Sequence, residues 1–88
     1  MATARIRLRG QLKKLAGDQA DHEVGGSTVH DVLQALARDY PALDGWITDE
    51  RGRVRRHINV FVNGEQARAE QEVADGDTVD VLPAISGG

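Results

Sequence analysis

Apolar and polar residues alternate at the very start of the chain. In ARIRLR, Ala4, Ile6 and Leu8 fall on one side and Arg5, Arg7 and Arg9 on the other, the period of two that marks a strand with one buried face. A strand is predicted over residues 3–9. GQLKKLAGDQ reads as a polar turn around Gly17 and Asp18. ADHEVGG reads as a second, weaker strand that Gly25 and Gly26 end, so the two strands would form a hairpin. The period then changes. In STVHDVLQALARDYP, Val29, Val32, Leu33, Leu36 and Tyr40 recur at i, i+3, i+4, i+7 and i+11, which predicts an amphipathic helix. Thr28 is its expected N-cap, with Asp31 completing a shortened capping box, and Pro41 stops it.

ALDGWITDERGRVRR is too polar and glycine-broken for a long element. Leu43, Trp46 and Ile47 would anchor a short helical turn on the core, and ERGRVRR would be an exposed, mobile loop. In HINVFVNGE the period of two returns, with Ile58, Val60 and Val62 on one side and His57, Asn59 and Phe61 on the other. Asn63–Gly64 is a strong hairpin-turn signal, and a short strand around Gln66–Arg68 would return from it. After a tight turn at Asp75–Gly76–Asp77, a last strand points Val79 and Val81 inward and ends at Pro83, which has no N–H for a ladder bond. The order β-β-α-β-β-β, with one helix to cover one sheet face, predicts an α+β fold whose other face stays wet.

Length and composition narrow the choices further. The chain has 88 residues and no cysteine. That is one domain, able to bury roughly 60 to 65% of its unfolded surface, with no disulfide, thiolate metal site or thiol nucleophile to call on. A cytoplasmic location fits this composition. No segment reaches the roughly 18 apolar residues of a membrane span, and the N-terminal stretch lacks the continuous apolar run of a signal peptide. With a net charge of −3, a broad nucleic-acid surface is not expected, though a local basic patch is compatible with it.

An enzyme needs a nucleophile, base or metal cluster in mutual reach. His22, His30 and His57 lie on three different elements and read as surface histidines. Asp75, Asp77 and Asp80 match no calcium loop and read as turn chemistry. What remains is the tail, ISGG, beyond Pro83. Residues 1–83 are expected to form the domain and residues 84–88 a flexible arm. Glycine fits where any Cβ would clash, so such an arm suits a narrow channel in another protein. The carboxylate of Gly88, with an unperturbed pKa of roughly 3.3 to 3.7, is ionised and unreactive until activated.

The helical run TVHDVLQAL after a polar turn, INVFVNGE, VADGDTVDVLPA and the final ISGG together resemble the ThiS/MoaD family of ubiquitin-like sulfur carriers over nearly the whole chain. The combination of Val62-Asn63-Gly64, Asp75-Gly76-Asp77 and Leu82-Pro83 with Gly87-Gly88 carries that resemblance. It implies a ubiquitin-like β-grasp fold, a mixed sheet of four to five strands with one main helix packed on one face. It also implies a carrier rather than an enzyme. Gly88 would be adenylated by an E1-like partner that uses ATP, converted to a thiocarboxylate, and passed to a sulfur-acceptor enzyme, with no cofactor held stably by the carrier itself. Gly87, with Ser86 and Ile85 before it, would thread the partners' active sites.

Length and the LPAISGG ending look most like the actinobacterial CysO-type carriers that feed cysteine synthesis. Molybdopterin synthase small subunits share the ending, carriers for thiazole synthesis are usually shorter, and carriers for sulfur-containing natural products stay open; a ubiquitin-like modifier conjugated to lysines through Gly88 is the competing reading. A β-grasp interaction or RNA-binding module with an irrelevant tail is a further alternative, disfavoured by the net charge and sparse aromatics. The expected docking surface is the wet sheet face. The period of two turns Phe61 and Leu82 outward, with Arg5, Arg7 and Arg9 as a polar rim.

Overall fold

The computed structural model describes residues 2–51 and 53–83. Eight short elements follow one another: β1 (Thr3–Leu8), α1 (Gln11–Leu15), β2 (Asp21–Gly25), α2 (Val29–Asp39), a 3-10 turn (Pro41–Leu43), β3 (Ile58–Val62), β4 (Glu65–Gln66) and β5 (Thr78–Pro83). The strands form one sheet in the order β2-β1-β5-β3-β4. β1 and β5 run parallel and every other neighbouring pair is antiparallel, so the sheet is mixed. α2 covers one face, and the architecture is the β-grasp α+β fold.

The core follows the predicted faces. Ala4, Ile6 and Leu8 of β1, Ile58, Val60 and Val62 of β3, and Val79 and Val81 of β5 are buried against Val29, Val32, Leu33 and Leu36 of α2. Thr28 caps α2, its Oγ1 accepting from Asp31 N–H at 3.1 Å. The return half of the box is displaced by one residue, because the Asp31 carboxylate accepts from Ser27 N–H at 3.3 Å. The next two N–H groups at the helix start, those of Val29 and His30, donate to the carbonyls of Gln71 and Ala69. The long β4–β5 connection thus satisfies donors that a helix start leaves unpaired. Asn63 and Gly64 both have positive φ (51° and 87°), as the tight turn between β3 and β4 requires.

Several expectations need correction. The turn at Gly17 and Asp18 is present, both at positive φ, but Gln11–Leu15 before it is the short helix α1, with Leu12 and the C-cap Ala16 buried in the core. Five residues are too few for a period to be legible, and the two lysines mask it. The first strand ends at Leu8, since Gly10 at φ 62° turns the chain away and leaves Arg9 outside it. The return strand is Glu65–Gln66 rather than Gln66–Arg68. Leu43 and Ile47 do anchor the segment after α2, but Trp46 is 43% exposed. The described part of ERGRVRR is not an open loop. Thr48 bridges Val54, Arg55 N–H donates to Ile47, and the Asp49 carboxylate accepts from Arg51 and Arg53 N–H at 2.9 and 3.0 Å.

His22 is not at the surface. It lies 8% exposed on the core face of β2, its Nε2 2.8 Å from the Gln19 carbonyl and its ring edge-on to Tyr40 at 5.0 Å. Hydrogen bonding and ring packing are what make a buried imidazole tolerable.

Candidate functional site

The face of the sheet away from α2 is built row by row from the strand register. Arg7 faces Asp21 on one side and Asp80 on the other, and Asp80 faces Phe61, which faces Gln66. A second row pairs Leu82 with Asn59, and a third pairs Glu23, Arg5 and Thr78. Phe61 and Leu82 are therefore diagonal neighbours on adjacent strands, close enough for an aromatic ring to reach. Both are half-buried.

The arginines stand to one side of this apolar pair instead of encircling it, because β5 lies between β1 and β3 and places Asp80 between Arg7 and Phe61. Arg7 is tied across the face, its Nε 3.5 Å from Asp21 Oδ1 and 3.8 Å from Asp80 Oδ1. Arg5 and Arg9 are exposed, and Arg9 lies one residue beyond its strand.

One end of this face is held by a polar knot that joins two turns. Asn63 Nδ2 donates to Asp77 Oδ1 at 2.9 Å, Asn63 Oδ1 accepts from Thr78 N–H at 3.0 Å, and Asp77 Oδ2 accepts from Ala74 N–H at 2.7 Å. The Ala74 N–H, and then the Asn63 amide, hold the Asp77 carboxyl below the usual aspartate range. Asp75 Oδ1 accepts from Thr3 N–H, pinning the same turn to the start of β1. The Asp-Gly-Asp sequence is structural here, and among the described residues no group of three His, Cys, Asp or Glu is placed to hold a metal ion. No helix among them is long and apolar enough to cross a membrane.

The opposite end carries the last described residue. Pro83, the last residue of β5, pairs with Ile58, the first of β3, so Pro83 lies directly beside the segment Arg55–Arg56–His57. Ile85, Ser86, Gly87 and Gly88, the expected threading and reacting residues, lie outside the described residues.

A model of the ThiS family matches residues 6–88. The chain belongs to that family. Its match runs through Gly88, so the final glycine pair falls inside the family's own span. Among relatives of this ThiS-family chain, small archaeal modifier protein 1 of Haloferax volcanii is 41% identical over 64 residues, 73% of this chain and 74% of the relative. Its crystal structure aligns with 99% of this chain and 100% of that one, at a TM-score of 0.86 and 33% identity.

The sulfur carrier protein CysO of Mycobacterium tuberculosis is 31% identical over 83 residues, 88% of this chain and 89% of the relative. A chain from the BexX/CysO complex of Amycolatopsis orientalis aligns at a TM-score of 0.87 and 29% identity, over 97% of this chain and 99% of that one. The ThiS-family chain therefore stands among ubiquitin-like proteins that include both sulfur carriers and modifiers.

Sequence reasoning missed one group of residues. Arg53, Arg55 and Arg56 come together with Arg68 around a groove beside the Ile58–Pro83 pair. The RGRVRR run was visible as a charge cluster, but no local signal brings Arg68 to it.

Proposed function

We propose that the chain is a sulfur carrier protein and not itself a catalyst, with residues 1–83 as the recognition domain and residues 84–88 as the arm that carries the reacting group. The observation that carries this reading is the family match through Gly88, joined to a CysO relative alignable over 83 residues. In the cytoplasm, a partner of the E1 type would use ATP to activate Gly88. The carboxylate oxygen attacks the α-phosphorus, pyrophosphate leaves, and an acyl-adenylate results. Hydrosulfide then attacks the acyl carbon, the bond to AMP breaks, and a thiocarboxylate remains. Gly88 supplies the carbonyl, and Gly87, Ser86 and Ile85 supply a narrow extended lead. Phe61 and Leu82, flanked by Arg5, Arg7 and Arg9, supply the docking face. A second enzyme would accept the sulfur, with the likeness to CysO favouring the synthesis of cysteine over that of molybdopterin or thiazole.

The higher identity to small archaeal modifier protein 1 favours a second reading, in which a lysine amine in place of hydrosulfide attacks the activated carbonyl and an isopeptide forms. The test supplies the activating enzyme, ATP and sulfide, and follows pyrophosphate release and intact mass. Replacement of one terminal oxygen by sulfur is expected. Undiminished pyrophosphate release from a chain extended beyond Gly88 would overturn both readings, and lysine adducts with no thiocarboxylate would select the second.

A further inference from the structure

Between the Arg53–Arg56 segment and residues 66–70 the surface opens into a groove of about 630 Å³. Its lining includes Arg53, Arg55, Arg56 and Arg68 and one acidic residue, Glu70, in a chain whose net charge is −3. Two features distinguish this from a solvated charge run. None of the four arginines is ion-paired with a carboxylate among the described residues, whereas Arg7 on the sheet face has two. Arg55 Nε is buried and has no hydrogen-bond partner, and a buried donor without an acceptor is costly unless something supplies one. The nearby Asp49 accepts from the N–H groups of Arg53 and Arg51 through Oδ1, which together with the charges of Arg53 and Arg55 hold its carboxyl below the usual aspartate range, but it makes no hydrogen bond to Arg55 Nε.

Position suggests the occupant. The groove-lining Ile58 is the cross-strand partner of Pro83, so the groove opens beside the last described residue, five residues before Gly88. A protein that binds the residues after Pro83 would have this groove within its reach. We propose that this groove is a docking site for an acidic segment of the partner protein that handles the C-terminal tail. Its carboxylates would pair with the exposed Arg53, Arg56 and Arg68 and with the half-buried Arg55.

Guanidinium forks match carboxylates in geometry as well as charge. A nucleic acid is a poorer occupant. The groove has no aromatic side chain on which a base could stack, and the acidic remainder of the chain would repel a long phosphate backbone. The identity of the partner rests on the sulfur-carrier reading above, but the groove's preference for an acidic segment does not.

The test has two arms. In the first, the full chain is titrated by NMR with a capped hexaglutamate peptide, with inorganic phosphate and with an oligouridylate, all at one ionic strength. Saturable shifts confined to residues 53–56 and 66–70 are expected with the peptide. They should weaken about tenfold in an Arg55→Gln/Arg68→Gln double variant and stay unchanged in Arg5→Gln/Arg9→Gln. Equal weakening in both variants, or tighter binding of phosphate or oligouridylate than of the peptide, would overturn the proposal.

In the second arm, pyrophosphate release by the activating enzyme is measured with the same variants. A KM raised by Arg55→Gln/Arg68→Gln at unchanged kcat is expected, and an unchanged KM would remove the activating enzyme as the occupant. If the unsubstituted chain is not activated at all, the carrier reading fails while the peptide arm still decides the groove.

Discussion

At the scale of single residues, Gly26 and Asp77 show two different constraints. Gly26 needs no unusual backbone. It needs space, because a Cβ there would stand 2.9 Å from Asp31 Cβ, from Val32 Cγ1 and from the backbone nitrogen of Val32. Backbone cannot swing aside as a flexible side chain can, so Gly26→Ala must push β2 away from the start of α2. Overpacking of this kind costs about 2 kcal/mol, or about 8 to 16 °C in a domain of this size, and a thermal melt checks it.

Asp77 is a matter of charge. Its folded pKa is lowered by the Ala74 N–H and by Asn63, so its contribution to stability is fully present above the unfolded aspartate value of about 3.9 and disappears as pH falls through the lower folded value. Asp77→Ala should therefore melt earlier than the unsubstituted chain at neutral pH, with the gap closing in acid. A gap that persists undiminished in strong acid would show that the hydrogen-bonded carboxylate is not its source.

At the scale of elements, the decisive feature is the register of β3 against β5. It buries Ile58, Val60 and Val62 while turning Phe61 to the outer face beside Asp80 and one row from Leu82. A single-residue slip would exchange the two sets. Truncating an aromatic anchor in an interface typically costs about 2 kcal/mol or more. Phe61→Ala is accordingly expected to weaken binding to the activating enzyme about 30-fold, with a stability change below about 1 kcal/mol, since the ring lies outside the main core. Calorimetric titration and a denaturant melt separate the two effects. Unchanged affinity would move the docking face elsewhere on the sheet or into the arginine groove.

At the scale of the whole molecule, the carrier reading assigns recognition to the folded domain and chemistry to the residues after it. One end of the sheet is closed by the Asn63–Asp77 knot, and the other holds the Ile58–Pro83 pair, with Ile58 also lining the arginine groove. A side chain beyond Pro83 is then expected to matter to partners and not to stability. Gly87→Val adds a β-branched side chain where, on the carrier reading, the lead would pass a narrow channel. Turnover by the activating enzyme should be lost while the melting temperature stays within about 2 to 4 °C, as for a change within ±0.5 kcal/mol. Equal kinetics for the two chains would mean that the lead is not threaded.

What the sequence determined by itself was local. The period of two in ARIRLR and INVFV, the period of 3.6 in VHDVLQAL, the Thr28 cap and the Asn63–Gly64 turn each follow from backbone geometry within a few residues, and each is present in the fold. The family was legible for a related reason, since its turns and strands recur as short motifs. Tertiary structure decided the remainder. Burial made a core helix of α1 and a core residue of His22, although Lys13, Lys14 and the polar imidazole pointed outward on local evidence. Strand order placed β5 between β1 and β3, which set Asp80 between Arg7 and Phe61 and put the arginines to one side of the apolar pair. The approach of Arg68 to Arg53, Arg55 and Arg56 depends on where the β3–β4 hairpin returns over the core. Such contacts come from closing long loops around one buried core, and no periodicity within either partner encodes them.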